Sequence, residues 1–183
     1  MEKQAIGGHT PLFCQTALVE EIRKLTEGML FKNPGSEDLV KLQVFPQALP
    51  IPGRKEPKEG VADPEYTIDY GGGETEEAVF KCPWCVVKLE GGNITGINDG
   101  QTVSVAIGFG IYNDCKDNKG HEELLNLIQR VYGRFARDPL LDRQYTCSGE
   151  FEWALQDEDT YPYYFGAIAT SFKFRGFQRE VIF

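Results

Sequence analysis

Apolar and polar residues alternate most regularly between Gln101 and Tyr112. Every second position carries a large apolar side chain, namely Val103, Val105, Ile107, Phe109 and Ile111. The alternate positions from Thr102 to Gly110 carry only small side chains. This period of two predicts a β-strand with one buried face. The small residues on the other face would let another group approach the sheet closely.

A helical repeat follows between Gly120 and Ala136. Its apolar stripe consists of Leu124, Ile128, Val131 and Phe135, widened by Leu125 and Tyr132. Acidic residues lie in the predicted first turn and arginines near the last, as the helix dipole favours. We predict that Asp117 or Asn118 caps this helix and that Pro139 ends it.

Two further strands are predicted after this helix. Alternating apolar residues from Tyr145 to Leu155 predict one half-buried strand. Tyr161-Pro162-Tyr163 then predicts a turn. The inner face of the last strand is predicted to carry Tyr164, Ile168, Phe172 and Phe174.

The N-terminal part begins with a helix signal, because Thr10 can cap a helix that has Pro11 at its first position. The helix is predicted to end at Gly28 or at Asn33-Pro34-Gly35, and the alternation from Val40 to Val44 predicts a strand. Residues 78–89 predict another strand, which Pro83 would make an edge strand or a bulged one. Turns are predicted at residues 90–93 and 98–100.

Together these elements predict a single α+β domain over residues 1–183. We expect a mainly antiparallel sheet with two helices packed on one face and a long acidic loop. A chain of 183 residues with 41% hydrophobic residues can bury a substantial core. Its net charge of -9 argues against a surface that binds nucleic-acid phosphates or anionic lipid. The chain shows neither a signal-peptide pattern nor an apolar run of membrane-spanning length, so no membrane partner is expected.

The acidic loop, from Pro46 to Glu77, is rich in proline and glycine and holds eight acidic but only three basic residues, a net charge of -5. Such a segment is difficult to bury. Tyr66, Ile68 and Tyr70 nevertheless form a short alternating apolar patch that could pair with a neighbouring sheet edge. A docking arm and a solvated loop without a partner are both open interpretations.

Cys82-Pro83-Trp84-Cys85 is the one sequence pattern with possible redox or metal chemistry. A redox pair needs its first thiol at a helix N-terminus, whereas strand-like residues follow here. On an extended strand the two thiols would also point to opposite faces, so unpaired thiols are predicted. A zinc site that adds Cys115 and His121 has suitable ligand types but lacks a second paired motif.

The remaining motifs give no catalytic set. His121-Glu122-Glu123 lacks the second histidine of a zinc protease helix, and Gly71-Gly72-Gly73 lacks the Lys-Ser/Thr of a phosphate loop. Five cysteines, an odd number without a dense framework, favour reduced thiols in a cytoplasm. We therefore expect no catalytic residue, cofactor or metal.

The C-terminal half resembles the tail terminator, or tail completion, proteins of long-tailed phages and their prophages. The resemblance covers roughly residues 101–181 and, more loosely, the first helix. It is carried by Gly110-Ile111-Tyr112-Asn113-Asp114, residues 120–128, Asp138-Pro139-Leu140-Leu141, residues 161–166 and Phe177-Gln178-Arg179-Glu180. The loop at residues 46–77 and the Cys82/Cys85 pair depart from the family pattern.

The resemblance implies a non-enzymatic virion protein with an α+β fold. Six copies would form a ring that caps the tail tube and joins it to the neck and head, after assembly in the bacterial cytoplasm. Its partners would be further copies, the tail tube protein and neck or connector proteins, with DNA passing through the ring without specific binding. Candidate contact residues are Tyr66, Ile68, Tyr70, Pro83, Tyr161, Tyr163 and Phe165. The alternatives are a neck or head-tail connector subunit and a small thiol-redox or zinc-binding domain.

Overall fold

The computed structural model describes residues 9–50, 82–96 and 99–176. Along the chain these form α1 (Pro11–Thr26), β1 (Leu30–Lys32), β2 (Leu39–Lys41), β3 (Gln43–Pro46), β4 (Trp84–Ile94), β5 (Gln101–Tyr112), α2 (Gly120–Arg137), β6 (Leu140–Leu141), β7 (Tyr145–Cys147), β8 (Glu152–Leu155) and β9 (Tyr163–Phe174). The predicted α+β class is confirmed.

One seven-stranded sheet organises the described residues. Its strand order is β3-β4-β5-β9-β7-β6, and β8 pairs with β9 beside β7. All pairs are antiparallel except β3 with β4. A separate two-stranded sheet joins β1 to β2. The long ladder between β5 and β9 pairs all twelve residues of each strand and forms the centre of the sheet.

Both helices pack on the same face of this sheet, as predicted. The apolar residues of β5 from Val103 to Ile111 are buried, and so is the α2 stripe that ends at Phe135. The ring of Phe135 lies edge-to-face with that of Phe172 on β9, with centroids 5.4 Å apart. The stripe is widened by buried Leu127, whereas Tyr132 is 44% exposed. The predicted packing of α2 on the two central strands is therefore confirmed.

The helix ends agree with the predictions except at the start of α2. Thr10 caps α1, because its hydroxyl accepts a hydrogen bond from the Phe13 N–H at 3.3 Å. Lys119 occupies the cap position of α2 and makes no side-chain cap bond, so the prediction of Asp117 or Asn118 was wrong. Asn118 instead accepts a hydrogen bond from the Tyr164 hydroxyl, which ties the start of α2 to β9.

Of the two alternatives predicted for the strand around Pro83, an edge strand or a bulged one, the edge strand was wrong. β4 begins after Pro83, at Trp84, and lies between β3 and β5, so it is an internal strand. It continues through the predicted turn at residues 90–93 to Ile94, with a register shift between Leu89 and Gly91. This bulge absorbs the residues whose glycines favoured a turn.

Two predicted strands are each divided in the structure. The segment from Val40 to Val44 changes sheet at buried Leu42, so its two halves pair with β1 and with β4. The segment from Tyr145 to Leu155 is interrupted at Gly149, whose φ of 82° takes the backbone out of the extended region. Both resulting strands still pair with β9.

Candidate functional site: an aromatic patch on the outer sheet face

Four aromatic side chains gather on the sheet face opposite the helices, at the end where β5 finishes and β9 begins, and a fifth, Tyr161, lies in the turn just before β9. We call this group the outer aromatic patch; it consists of Trp84, Tyr112, Tyr161, Tyr163 and Phe165. The register explains the grouping, because Trp84 and Phe165 both lie opposite Gly110, and Tyr112 lies opposite Tyr163. Cross-strand aromatic pairs of this kind stabilise a sheet and also offer a large apolar contact area.

Gly110 makes the close packing of the patch possible. The ring centroids of Trp84 and Phe165 are 6.0 Å apart, one on each side of the glycine. A Cβ atom at position 110 would come within 2.5 Å of Cε2 in the Trp84 indole. The small residues predicted on one face of β5 thus leave room for the aromatic ring of Trp84.

The second part of the patch is organised by the turn before β9. The Tyr163 N–H donates to the Thr160 carbonyl at 2.8 Å, and the Thr160 hydroxyl donates to the Tyr163 carbonyl at 2.6 Å. Tyr161 is 47% exposed, and its hydroxyl donates to the backbone carbonyl of Asp114 at 3.0 Å. The turn therefore holds one aromatic ring out toward solvent on a fixed backbone.

Charged groups border the patch. Lys32 on β1 forms a salt bridge with Asp114 at 2.5 Å, and its hydrogen bond lowers the pKa of the Asp114 carboxyl. The pKa of Tyr112 is raised, first by burial and then by the Asp114 charge. The exposed acids Asp157, Glu158 and Asp159 line, together with Tyr161, a cavity of about 260 Å³. The surroundings would attract basic groups and repel phosphates.

The predicted contact residues lie in different parts of the protein. Tyr161, Tyr163 and Phe165 come together in the patch, with Tyr163 and Phe165 half-buried. Pro83 is buried, and its carbonyl accepts a hydrogen bond from the Gln43 N–H at 3.3 Å, so it does not offer a free edge. Tyr66, Ile68 and Tyr70, with most of the acidic loop, lie outside the described residues.

Sequence reasoning missed Trp84 and Tyr112 as members of the patch. The signal was present in the small face of β5, since Gly108 and Gly110 leave room for a large ring. The pairing of Trp84 with Gly110 depends on the β4–β5 register, however. The predicted edge strand at Pro83 gave no indication of that register.

The cysteine motif contributes Trp84 to the patch, but both of its cysteines lie inside the protein. Cys82 and Cys85 are free and buried. Burial raises the pKa of the Cys82 thiol to about 11 and raises that of Cys85 further. Within residues 9–50, 82–96 and 99–176, no three His, Cys, Asp or Glu side chains form a group that could hold a metal ion, so Cys82, Cys85, Cys115 and His121 do not converge.

Comparison with known protein-family models and with curated protein sequences finds no match for this chain. Neither of the two described helices has the length and apolar character required to span a membrane.

Proposed function

We propose that this chain is a structural subunit of a long-tailed phage or prophage particle, a tail terminator that assembles into a ring at the end of the tail tube. The proposal rests on the resemblance of residues 101–181 to that family. The observation that carries it is the outer aromatic patch, which concentrates several large rings on the sheet face that neither helix covers. Residues of this type are enriched in the cores of protein interfaces.

The chemistry of the patch suits contact with protein. Aromatic rings supply apolar area, and the exposed Tyr161 combines a ring with a hydroxyl that can remain hydrogen-bonded at an interface. A closed ring requires heterologous contacts, in which one surface of a subunit meets a different surface of its neighbour. We propose that the patch is one of these two surfaces and that it packs against the next subunit or the tube.

The net charge of the chain also suits this function. A ring built from subunits with a charge of -9 would repel DNA phosphates and so permit DNA to pass without binding. A neck or connector subunit would share this property. The two assignments differ in their partner, because only a terminator binds the end of the tail tube itself.

The proposal can be tested with a pair of matched tyrosine variants. Tyr161 in the patch and Tyr132 on α2 are similarly exposed, at 47% and 44%, but Tyr161 lies in the turn before β9, whereas Tyr132 belongs to α2 and is not part of the patch. If the patch is an interface, Tyr161→Ser should raise the dissociation constant of the assembly at least about tenfold, as loss of an interface anchor does. Tyr132→Ser should have little effect.

Sedimentation velocity over a range of concentrations measures this difference, and circular dichroism verifies that both variants remain folded. Equal assembly of the wild type and both variants would contradict a role for the patch. Equal loss of assembly in both variants would contradict its specificity.

A further inference from the structure

A cysteine and a lysine from separate parts of the chain meet beside the outer aromatic patch. The Lys32 ammonium on β1 donates to Sγ of Cys115 at 3.3 Å, and Cys115 lies in the connection between β5 and α2. The local backbone fixes the cysteine, since its N–H donates to Oδ1 of Asn113 at 2.9 Å and its carbonyl accepts from the Asn118 N–H at 3.1 Å. The thiol is therefore held next to a positive charge.

The other four cysteines lie in a different environment. Cys14, Cys82, Cys85 and Cys147 are all buried, whereas Cys115 is half-buried. Burial keeps Cys14, Cys82 and Cys85 protonated near neutral pH. Accessibility and a neighbouring cation, the two conditions that make a thiol reactive, are thus combined at Cys115.

The negative charge of Asp114 opposes the effect of Lys32 on the thiol. The Asp114 carboxylate lies 2.5 Å from the same Lys32 ammonium and neutralises part of its field. The lysine nevertheless directs an N–H donor to the sulfur at 3.3 Å, so its positive charge stays in direct contact with the thiol. The carboxylate also keeps Lys32 protonated, because its hydrogen bond is the largest cause of the raised pKa of that lysine.

From this geometry we propose that Cys115 and Lys32 form a reactive dyad and that Cys115 is the site at which peroxides and soft electrophiles modify this protein. With hydrogen peroxide, the Cys115 thiolate attacks one oxygen, an S–O bond forms and the O–O bond breaks. The sulfur is oxidised by two electrons to a sulfenic acid, and the peroxide is reduced. The Lys32 ammonium gives a proton to the departing hydroxide, which leaves as water.

The dyad predicts a specific order of reactivity in the full-length protein. Under brief exposure to iodoacetamide or hydrogen peroxide at neutral pH, Cys115 should be modified before the four buried cysteines, as peptide mass spectrometry can measure. Lys32→Gln should slow the reaction of Cys115 several-fold. Lys32→Arg keeps a positive charge and should preserve most of the rate.

Lys116→Gln is the matched control, because Lys116 is an exposed lysine adjacent to Cys115 in the chain. It should leave the rate nearly unchanged. The proposal would be overturned if a buried cysteine reacted first or if Lys32→Gln and Lys116→Gln had equal effects.

Discussion

The indole ring of Trp84 lies directly over Gly110 of the adjacent strand, at a distance that leaves no room for a side chain at position 110. This contact fixes Trp84 against the sheet and brings it toward Phe165, its neighbour on the far side of the glycine. It is the structural basis of the outer aromatic patch.

The first prediction concerns this contact. Gly110→Ala would place a Cβ within 2.5 Å of the indole, so the ring must move; overpacking of this kind typically costs about 1–3 kcal/mol of the free energy of unfolding. Urea denaturation with tryptophan fluorescence measures both the stability and the ring environment. Gly108→Ala is the control, because its Cβ would lie at an ordinary 3.8 Å from the same ring. Equal stability of the two variants would refute the close contact.

The second prediction concerns the core between α2 and the sheet. Phe135 is 2% exposed and packs against Phe172, so Phe135→Ala should reduce the free energy of unfolding by about 3–5 kcal/mol. Tyr132→Ala on the same helix removes a side chain that is 44% exposed and whose ring contacts Phe151 at a centroid distance of 5.3 Å. It should cost only about 1 kcal/mol. Chemical denaturation of both variants would detect a reversed order, which would contradict the orientation of α2.

These two sites illustrate how far the sequence predicts the fold. The periodicity of β5 and α2 gave their bounds to within one residue, because each has one continuous buried face. Local pattern could not locate the break at Gly149, since the apolar alternation resumes beyond it and only the φ of that glycine divides the strand. Likewise, Pro83 indicated an edge strand because proline has no N–H to donate to a neighbouring strand. Pro83 lies just before β4 begins, however, where the missing N–H has no consequence.

The candidate site was predicted only in part for a related reason. Tyr161, Tyr163 and Phe165 are neighbours in sequence, so a local pattern could group them. Trp84 and Tyr112 join them through strand pairing across a long sequence separation, which depends on register. The salt bridge and hydrogen bond of Lys32 to residues 114 and 115 depend in the same way on the position of β1 beside the end of β5.

A third prediction compares two salt bridges. The Arg134 guanidinium on α2 donates to the Glu21 carboxylate on α1, and these side chains are only 20% and 19% exposed. Arg134 also donates to the Leu140 carbonyl at 3.1 Å. Arg134→Met should therefore cost about 2–3 kcal/mol of stability, because charged groups lose hydrogen bonds away from solvent.

Lys32→Met is the counterpart for the more exposed bridge to Asp114, where the side chains are 40% and 51% exposed. It should cost less than about 1 kcal/mol. Measuring both variants by urea unfolding tests whether Arg134 connects the two helices. A cost for Arg134→Met as small as that for Lys32→Met would argue against it.

The fourth prediction is a loss of stability at alkaline pH. Burial raises the pKa of Cys82 to about 11 and, with a smaller effect of Cys147, the pKa of Cys14 to about 12, from an ordinary value of 9.0. Above pH 9 the unfolded chain therefore binds fewer protons than the folded protein, so the free energy of unfolding falls as pH rises. Each such thiol contributes a slope of about 1.4 kcal/mol per pH unit.

Cys82→Ala should remove the contribution of this thiol to the fall of the free energy of unfolding between pH 9 and about 11. This holds whatever the effect of the substitution on stability at neutral pH. Urea denaturation at several pH values between 8 and 11 provides the comparison. A variant whose stability declines as steeply as that of the wild type would show that Cys82 is not the buried thiol described above.

The central claim is that the chain forms a ring on the end of a phage tail tube, and electron microscopy with isolated tail tubes tests it most directly. Images of the protein alone, at high concentration, and mixed with tubes should be compared. The account predicts closed rings, of six subunits as the family resemblance implies, that cap tube ends and leave tube walls bare. A protein that remains monomeric at every concentration and does not bind tube ends would contradict the account.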